Sequence, residues 1–113
     1  VTTRDEALAV AALWDLWQGP ERDRPLLSCT LVTTEAAGRF KPWHARMPVI
    51  LAAAERERWL DNSRIVDSDD SLFAPVLKEP LRLVPLDRSV GNSRNKNPAL
   101  LDARGEWVEL AND

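Results

Sequence analysis

Residues Ala7 to Trp17, ALAVAALWDLW, restrict the architecture more than any other part of the chain. Counted with a period of two, Leu8, Val10, Ala12 and Trp14 fall on one face and Ala9, Ala11 and Leu13 on the other, so both faces are apolar. Such a run reads as a central strand buried on both sides, with a short helix as the rival assignment. The polar segment QGPERDRP, Gln18 to Pro25, follows as a Gly/Pro connection. Leu27 to Thr34 is rich in β-branched residues and predicts a second strand. The two runs are expected to pair as an antiparallel hairpin with a long loop.

The rest of the chain alternates short apolar runs with turns. Glu35 to Arg46 reads as an irregular crossover. Met47 to Leu51 reads as a third strand, with Pro48 near its start where a missing donor is tolerated. Ala52 to Leu60, AAAERERWL, is helical by propensity. Trp59 and Leu60 are expected inward there, with Glu55 to Arg58 facing water. Asp70 or Ser71 can cap a short helix running to Leu77. Leu81 to Leu86 predicts a fourth strand and Trp107 to Leu110 a terminal one. Between them SVGNSRNKNP, Ser89 to Pro98, is turn chemistry throughout. No repeat or internal boundary divides residues 1 to 113. The expected class is α+β and β-rich, a mixed sheet with short helices. It is expected to be incomplete as it stands, because the first strand needs partners on both faces.

Composition sets the outer limits. The chain has 113 residues, 44% hydrophobic and 29% charged, which is globular rather than disordered. No run approaches the roughly 18 apolar residues of a membrane span. The opening Val1 to Glu6 is polar and charged, unlike a signal peptide. The one cysteine, Cys29, precludes an internal disulfide and fits a reducing, cytoplasmic setting. With one Cys and one His, a Cys/His zinc site within the chain is not expected, nor is a cofactor. Val1 in place of Met fits either removal of an initiator or a chain that begins partway through a longer protein.

The net charge of −3 is unevenly spread. Ala36 to Ala54 holds Arg39, Lys41 and Arg46 and no acid, and Arg88 to Leu101 holds Arg88, Arg94 and Lys96 and no acid. The remainder carries nine basic residues against all eighteen acidic ones. Two cationic segments on an acidic body form either a local anion-binding face or two solvated loops.

The only histidine, His44, lies in the first of these segments. Imidazole is the side chain whose ordinary titration falls nearest neutral pH. His44 therefore reads as a general acid/base or ligand-orienting group in a cleft, or as a loop histidine without a task. Thr33 ends the strand leading towards it. If Cys29 and Leu31 point to the core, Thr33 shares their face at its edge, as a sugar or phosphate contact or as a strand-favouring threonine. Cys29 reads as buried mid-strand and inert. Of the tryptophans at 14, 17, 43, 59 and 107, most read as core, with Trp43, beside His44, the candidate stacking platform for a base. GNSRNKNP presents Arg94 and Lys96 without the glycine spacing of a phosphate loop.

Four segments, in order, resemble one family: LAVAALWDLW, SCTLVTTEA, HARMPVIL followed by a helix ending in WLD, and VPLDRSVGNSRNKNPALL. Together they are similar to the SOS-response-associated peptidase (SRAP) family, over nearly the whole of this chain and over the C-terminal half of the family's domain. The resemblance implies a β-rich mixed sheet or barrel that binds single-stranded DNA. It implies a covalent link to abasic sites, made by a cysteine that follows the initiator Met. That cysteine's amine and thiol close a thiazolidine on the ring-opened sugar aldehyde, and it also frees itself by removing Met. The resemblance gives His44 the catalytic role, Thr33 a DNA or sugar contact, and Arg46 a place near a phosphate. Arg39, Lys41, Trp43 and Arg94 are further candidate DNA contacts from the charge reading. The N-terminal cysteine and the asparagine and glutamate motifs of the family's first half have no counterpart in this chain, and Cys29 has no free α-amine to replace the first. The expected partners are therefore abasic-site or single-stranded DNA and the missing N-terminal half, with no membrane. The chain by itself is expected not to form the crosslink.

Overall fold

The structure, a computed structural model, describes residues 7–20 and 23–113. Six short strands and one helix appear there, β1 Ala12–Trp17, β2 Leu26–Leu31, β3 Thr33–Glu35, β4 Arg46–Pro48, α1 Ala53–Leu60, β5 Leu81–Leu83 and β6 Val108–Leu110. They pair as three antiparallel two-stranded units, β1–β2, β3–β4 and β5–β6. The α+β class is as expected, and the described strands do not close into a barrel. No helix of the described residues is long and apolar enough to cross a membrane. The expected polar opening at Val1–Glu6 and part of the QGPERDRP connection, Glu21 and Arg22, lie outside the described residues.

The expected hairpin forms, with Ala12 opposite Leu31 and Trp17 opposite Leu26. Its surroundings differ from expectation. Burial on both faces holds only at the start of the first run, where Ala11 is fully buried and Leu8 and Ala9 pack against the core. From Leu13 onward both faces are open. The register puts Ala12, Trp14, Leu16, Leu27, Cys29 and Leu31 on one face. That face has no charged group, and Trp14, Leu27 and Leu31 are 71%, 64% and 60% exposed. Cys29 is therefore exposed rather than buried. Trp14 and Trp17 are surface residues rather than core, because within these residues no second layer packs on the hairpin.

The expected second strand is also interrupted. At Val32 its backbone leaves β1, and three segments meet there. Val32 donates to Ala11, Val49 donates to Val32, and Ala11 donates to Val49, each at 2.9 Å. Leu51 continues this ladder to Ala9 at 2.8 Å. The core-facing side of the following strand is then that of Val32 and Thr34, not that of Cys29 and Leu31. The Thr34 hydroxyl donates to the Phe73 carbonyl at 2.7 Å, while Thr33 faces outward.

Two buried clusters hold the chain together. One gathers Ala36, Ala37, Phe40, Met47, Ile50, Leu77, Leu81, Leu83 and Leu110. The other gathers Ala11, Val49, Leu51 and Leu72, flanked by Trp59, Val66 and Phe73. Trp59 is the one tryptophan that serves the core. Its ring meets Phe73 edge-on with centroids 6.1 Å apart, and its indole N–H donates to the Ala12 carbonyl at 3.3 Å. Helix α1 presents its faces otherwise than expected. Leu60 is 75% exposed, whereas Glu55 is largely covered. Glu55 accepts from the Ala52 backbone at 3.1 Å and pairs with Lys78 at 2.8 Å. Asp70 does cap the next turn, accepting from Leu72 at 2.9 Å and binding Arg58. That turn is a single 3-10 turn, Ser71–Phe73, and does not reach Leu77. At the C-terminus Asp113 ties back to Leu77, which donates to its carboxylate at 2.6 Å.

Candidate nucleic-acid interface around His44

The β3–β4 pair builds the site. Its register sets Thr33 opposite Pro48, Thr34 opposite Met47 and Glu35 opposite Arg46. Thr34 and Met47 form the inward pair, and Met47 is buried with its sulfur accepting from the Ala37 N–H at 3.4 Å. Thr33, Glu35 and Arg46 therefore share the outward face. Between the strands, residues 38–43 make tight turns anchored by Phe40, which is buried. Those turns return the chain so that His44 precedes Arg46 at the start of β4.

Arg46 reaches diagonally across the pair to Thr33. Its Nε donates to the Thr33 hydroxyl at 3.2 Å, and its Nη2 donates to the same hydroxyl at 3.0 Å and to the Thr33 carbonyl at 2.9 Å. This holds the guanidinium in one orientation and leaves the Nη1 donors without a partner among the described residues. The Thr33 oxygen accepts from Arg46, so its own hydroxyl proton is directed elsewhere and can donate to a bound oxygen.

His44 is fixed through one ring nitrogen. Nδ1 lies 2.8 Å from the Arg46 carbonyl oxygen and 3.0 Å from the Arg46 backbone nitrogen. The carbonyl contact needs a proton on Nδ1, and the N–H contact needs a lone pair there. Both hold the same nitrogen, so Nε2 is the one left for exchange with a ligand, as a base or as an acid. The ring is exposed.

The cations around it are not free, as a count along the sequence implies, because their acids come from outside the cationic run. Lys41 pairs with Glu35 at 2.9 Å, and Arg39 with Asp113 at 3.7 Å. The hydrogen bond and charge of Lys41, with a smaller share from Arg46, hold the Glu35 carboxyl below its usual range, so it is ionised at neutral pH. Arg46 thus supplies the unpaired positive charge of this face. Trp43 is 47% exposed. Trp107 is a surface residue too, covered in part by the Arg82 guanidinium 4.7 Å from its ring centre.

The structure therefore brings together Thr33, Arg46 and His44, with Lys41 joined to them through Glu35 and Trp43 lining one cleft with His44, whereas the described partner of Arg39 is Asp113. Arg94 is not joined to them. It sits in a run of side-chain-capped turns in which Asp87 accepts from Ser89, Asn92 from Arg94 and Asn97 from Ala99. No hydrogen bond or ion pair among the described residues links it to the His44 face. Glu35 was missed by the sequence reading, although its alternation with Thr33 marks it as lying on the same side. Arg46→Ala is expected to weaken binding of single-stranded DNA to a similar degree for every sequence. It should also reduce the slope of log affinity against log salt by about 0.7, measured by fluorescence anisotropy. An unchanged slope would show that Arg46 meets no phosphate.

Comparison with known proteins agrees with the resemblance drawn above. Residues 1–93 match the family described as SOS response associated peptidase (SRAP). The chain is 32% identical over 97 residues to the abasic site processing protein YoqW of Bacillus subtilis, covering 84% of this chain and 42% of that protein. It is 33% identical over 96 residues to YoaM of the same organism, again an abasic site processing protein, with 84% and 42% covered. The abasic site processing protein HMCES of Xenopus tropicalis is 34% identical over 98 residues, with 85% of this chain and 29% of that protein covered. The chain thus spans less than half the length of these relatives. No solved structure matches it. With the family's sequence pattern running through 93 of its 113 residues, the histidine-bearing β3–β4 pair among them, this chain belongs to the SOS response associated peptidase family.

Proposed function

We propose that this chain is the histidine-bearing part of an abasic-site processing protein, acting on single-stranded DNA in the cytoplasm together with a segment that supplies an N-terminal cysteine. The observation that carries the reading is the outward face of β3–β4. There a histidine fixed through Nδ1 stands beside an arginine whose fork is set by Thr33.

The roles follow from the donors. Arg46 offers Nη1 to a phosphate, and the Thr33 hydroxyl donates to a sugar oxygen. An abasic site exists in part as a ring-opened aldehyde. The α-amine of the N-terminal cysteine adds to that aldehyde and water leaves, giving an imine. The thiolate then adds to the imine carbon, and the nitrogen takes up a proton to close the five-membered ring. In this reading Nε2 of His44 takes the proton from the sugar hydroxyl as the ring opens and returns one during closure or reversal. The same cysteine, once its own Met is removed by hydrolysis of the preceding peptide bond, has the free amine that the reaction needs.

The open hairpin supports the other half of the proposal. A β1–β2 pair with one wholly apolar face is the kind of surface that a further layer covers. The segment that carries the cysteine is the proposed occupant. Joining the chain to such a segment and offering abasic single-stranded DNA tests the reading. An adduct that survives denaturing detergent is expected, and undamaged DNA should give none. Salt-dependent binding with no adduct would leave a DNA-binding remnant instead.

A further inference from the structure

A cleft of about 470 Å³ opens beside His44, a volume within the roughly 300–1,000 Å³ range of ligand pockets. Its walls are Phe40, Leu83, Val84, Pro85 and Val108. Phe40 and Leu83 belong to the buried core, so the floor is fixed by packing. The rim carries the Trp43 indole and the His44 ring, and one carboxylate, that of Glu106. Glu106 has no ion pair or hydrogen bond among the described residues. The β5–β6 pairing sets Leu83 opposite Val108, which brings the segment carrying Glu106 across from the turn that carries Trp43.

Resting on the reading of the His44 face given above, we infer that this cleft holds the base of a nucleotide next to the abasic site, and that it selects guanine. Apolar walls and a half-exposed indole offer a flat ring a surface on which to stack. A free carboxylate repels a phosphate, so the backbone stays at Arg46 while the base enters. An ionised carboxylate only accepts hydrogen bonds. Guanine is the base whose pairing edge sets two donors side by side, the ring N1–H and the exocyclic N2 amine. Adenine and cytosine each present one donor next to an acceptor, and thymine one donor between two. Glu106 therefore matches guanine with two parallel bonds and meets a repelling lone pair on each of the other bases.

The test titrates the 113-residue chain with the four nucleoside 5′-monophosphates and follows the Trp43 indole N–H by NMR, assigned with Trp43→Phe. The guanine nucleotide is expected to saturate the shift at about tenfold lower concentration than the others, and Glu106→Gln should abolish that preference. Glu106 is exposed, and the dispersion of the core methyl signals shows whether the variant keeps the fold. Equal affinity for the four nucleotides, no shift with any of them, or a guanine preference that survives Glu106→Gln would overturn the proposal. No abasic site enters this titration, so its outcome is separate from that of the adduct experiment.

Discussion

Replacing His44 with glutamine is expected to slow formation of the detergent-resistant adduct with abasic single-stranded DNA by about 10²-fold or more, the usual contribution of a positioned acid/base group. The chain would be joined to a segment with an N-terminal cysteine, and the rate followed on denaturing gels. Glutamine keeps the polarity and much of the size of imidazole but cannot pass a proton near neutral pH. The effect should fall on the rate, because His44 is exposed and the only described bonds of its side chain are to the backbone of Arg46 two residues on. Equilibrium binding of undamaged DNA should change little, since Arg46 keeps its three bonds to Thr33. That split separates His44 from a merely structural residue, for which binding and rate would fall together. A rate within about twofold of the parent, where Brønsted behaviour calls for 10²-fold or more, would remove His44 from the chemistry.

The second large effect concerns association. The 113-residue chain is expected to self-associate in a concentration-dependent way, because the apolar face of Trp14, Leu16, Leu27 and Leu31 has no cover among the described residues. Leu16→Thr with Leu27→Thr should convert the chain to a monomer. These two residues face each other across the hairpin, and threonine keeps the strand preference while removing the apolar surface. Sedimentation velocity over a hundredfold concentration range reads this directly. A parent chain that stays monomeric throughout would contradict the idea that this face is made to be covered.

How much the sequence showed depended on how local the determinant was. The hairpin was legible because alternation and turn residues lie within one stretch, and the same holds for the Asp70 cap and the Asn-rich turns. What covers the hairpin was not legible. Apolar alternation says that a face favours burial, and cannot say whether these residues bury it, so Cys29, Trp14 and Trp17 carry a core pattern in sequence yet lie exposed. The break at Val32 arises from a three-way meeting with Ala11 and Val49, segments far apart in sequence, and the side facing the core there is that of Val32 and Thr34. Thr33 and Arg46 were each singled out, but their union depends on the β3–β4 register. The charge count missed the pairing of Lys41 because Glu35 lies one residue outside the window, and that of Arg39 because Asp113 is at the far end of the chain. Glu106 had no local signal at all, since it joins His44 only through the β5–β6 pairing.

The most direct test of the central claim is the intact mass of the product formed when the chain, joined to a segment with an exposed N-terminal cysteine, meets single-stranded DNA bearing one abasic site. The account predicts one species at the summed mass of protein and DNA less one water, as closure of a thiazolidine on the aldehyde requires, with the cysteine as its first residue. Recovery of protein and DNA at their separate masses, with His44, Thr33 and Arg46 all intact, would contradict it.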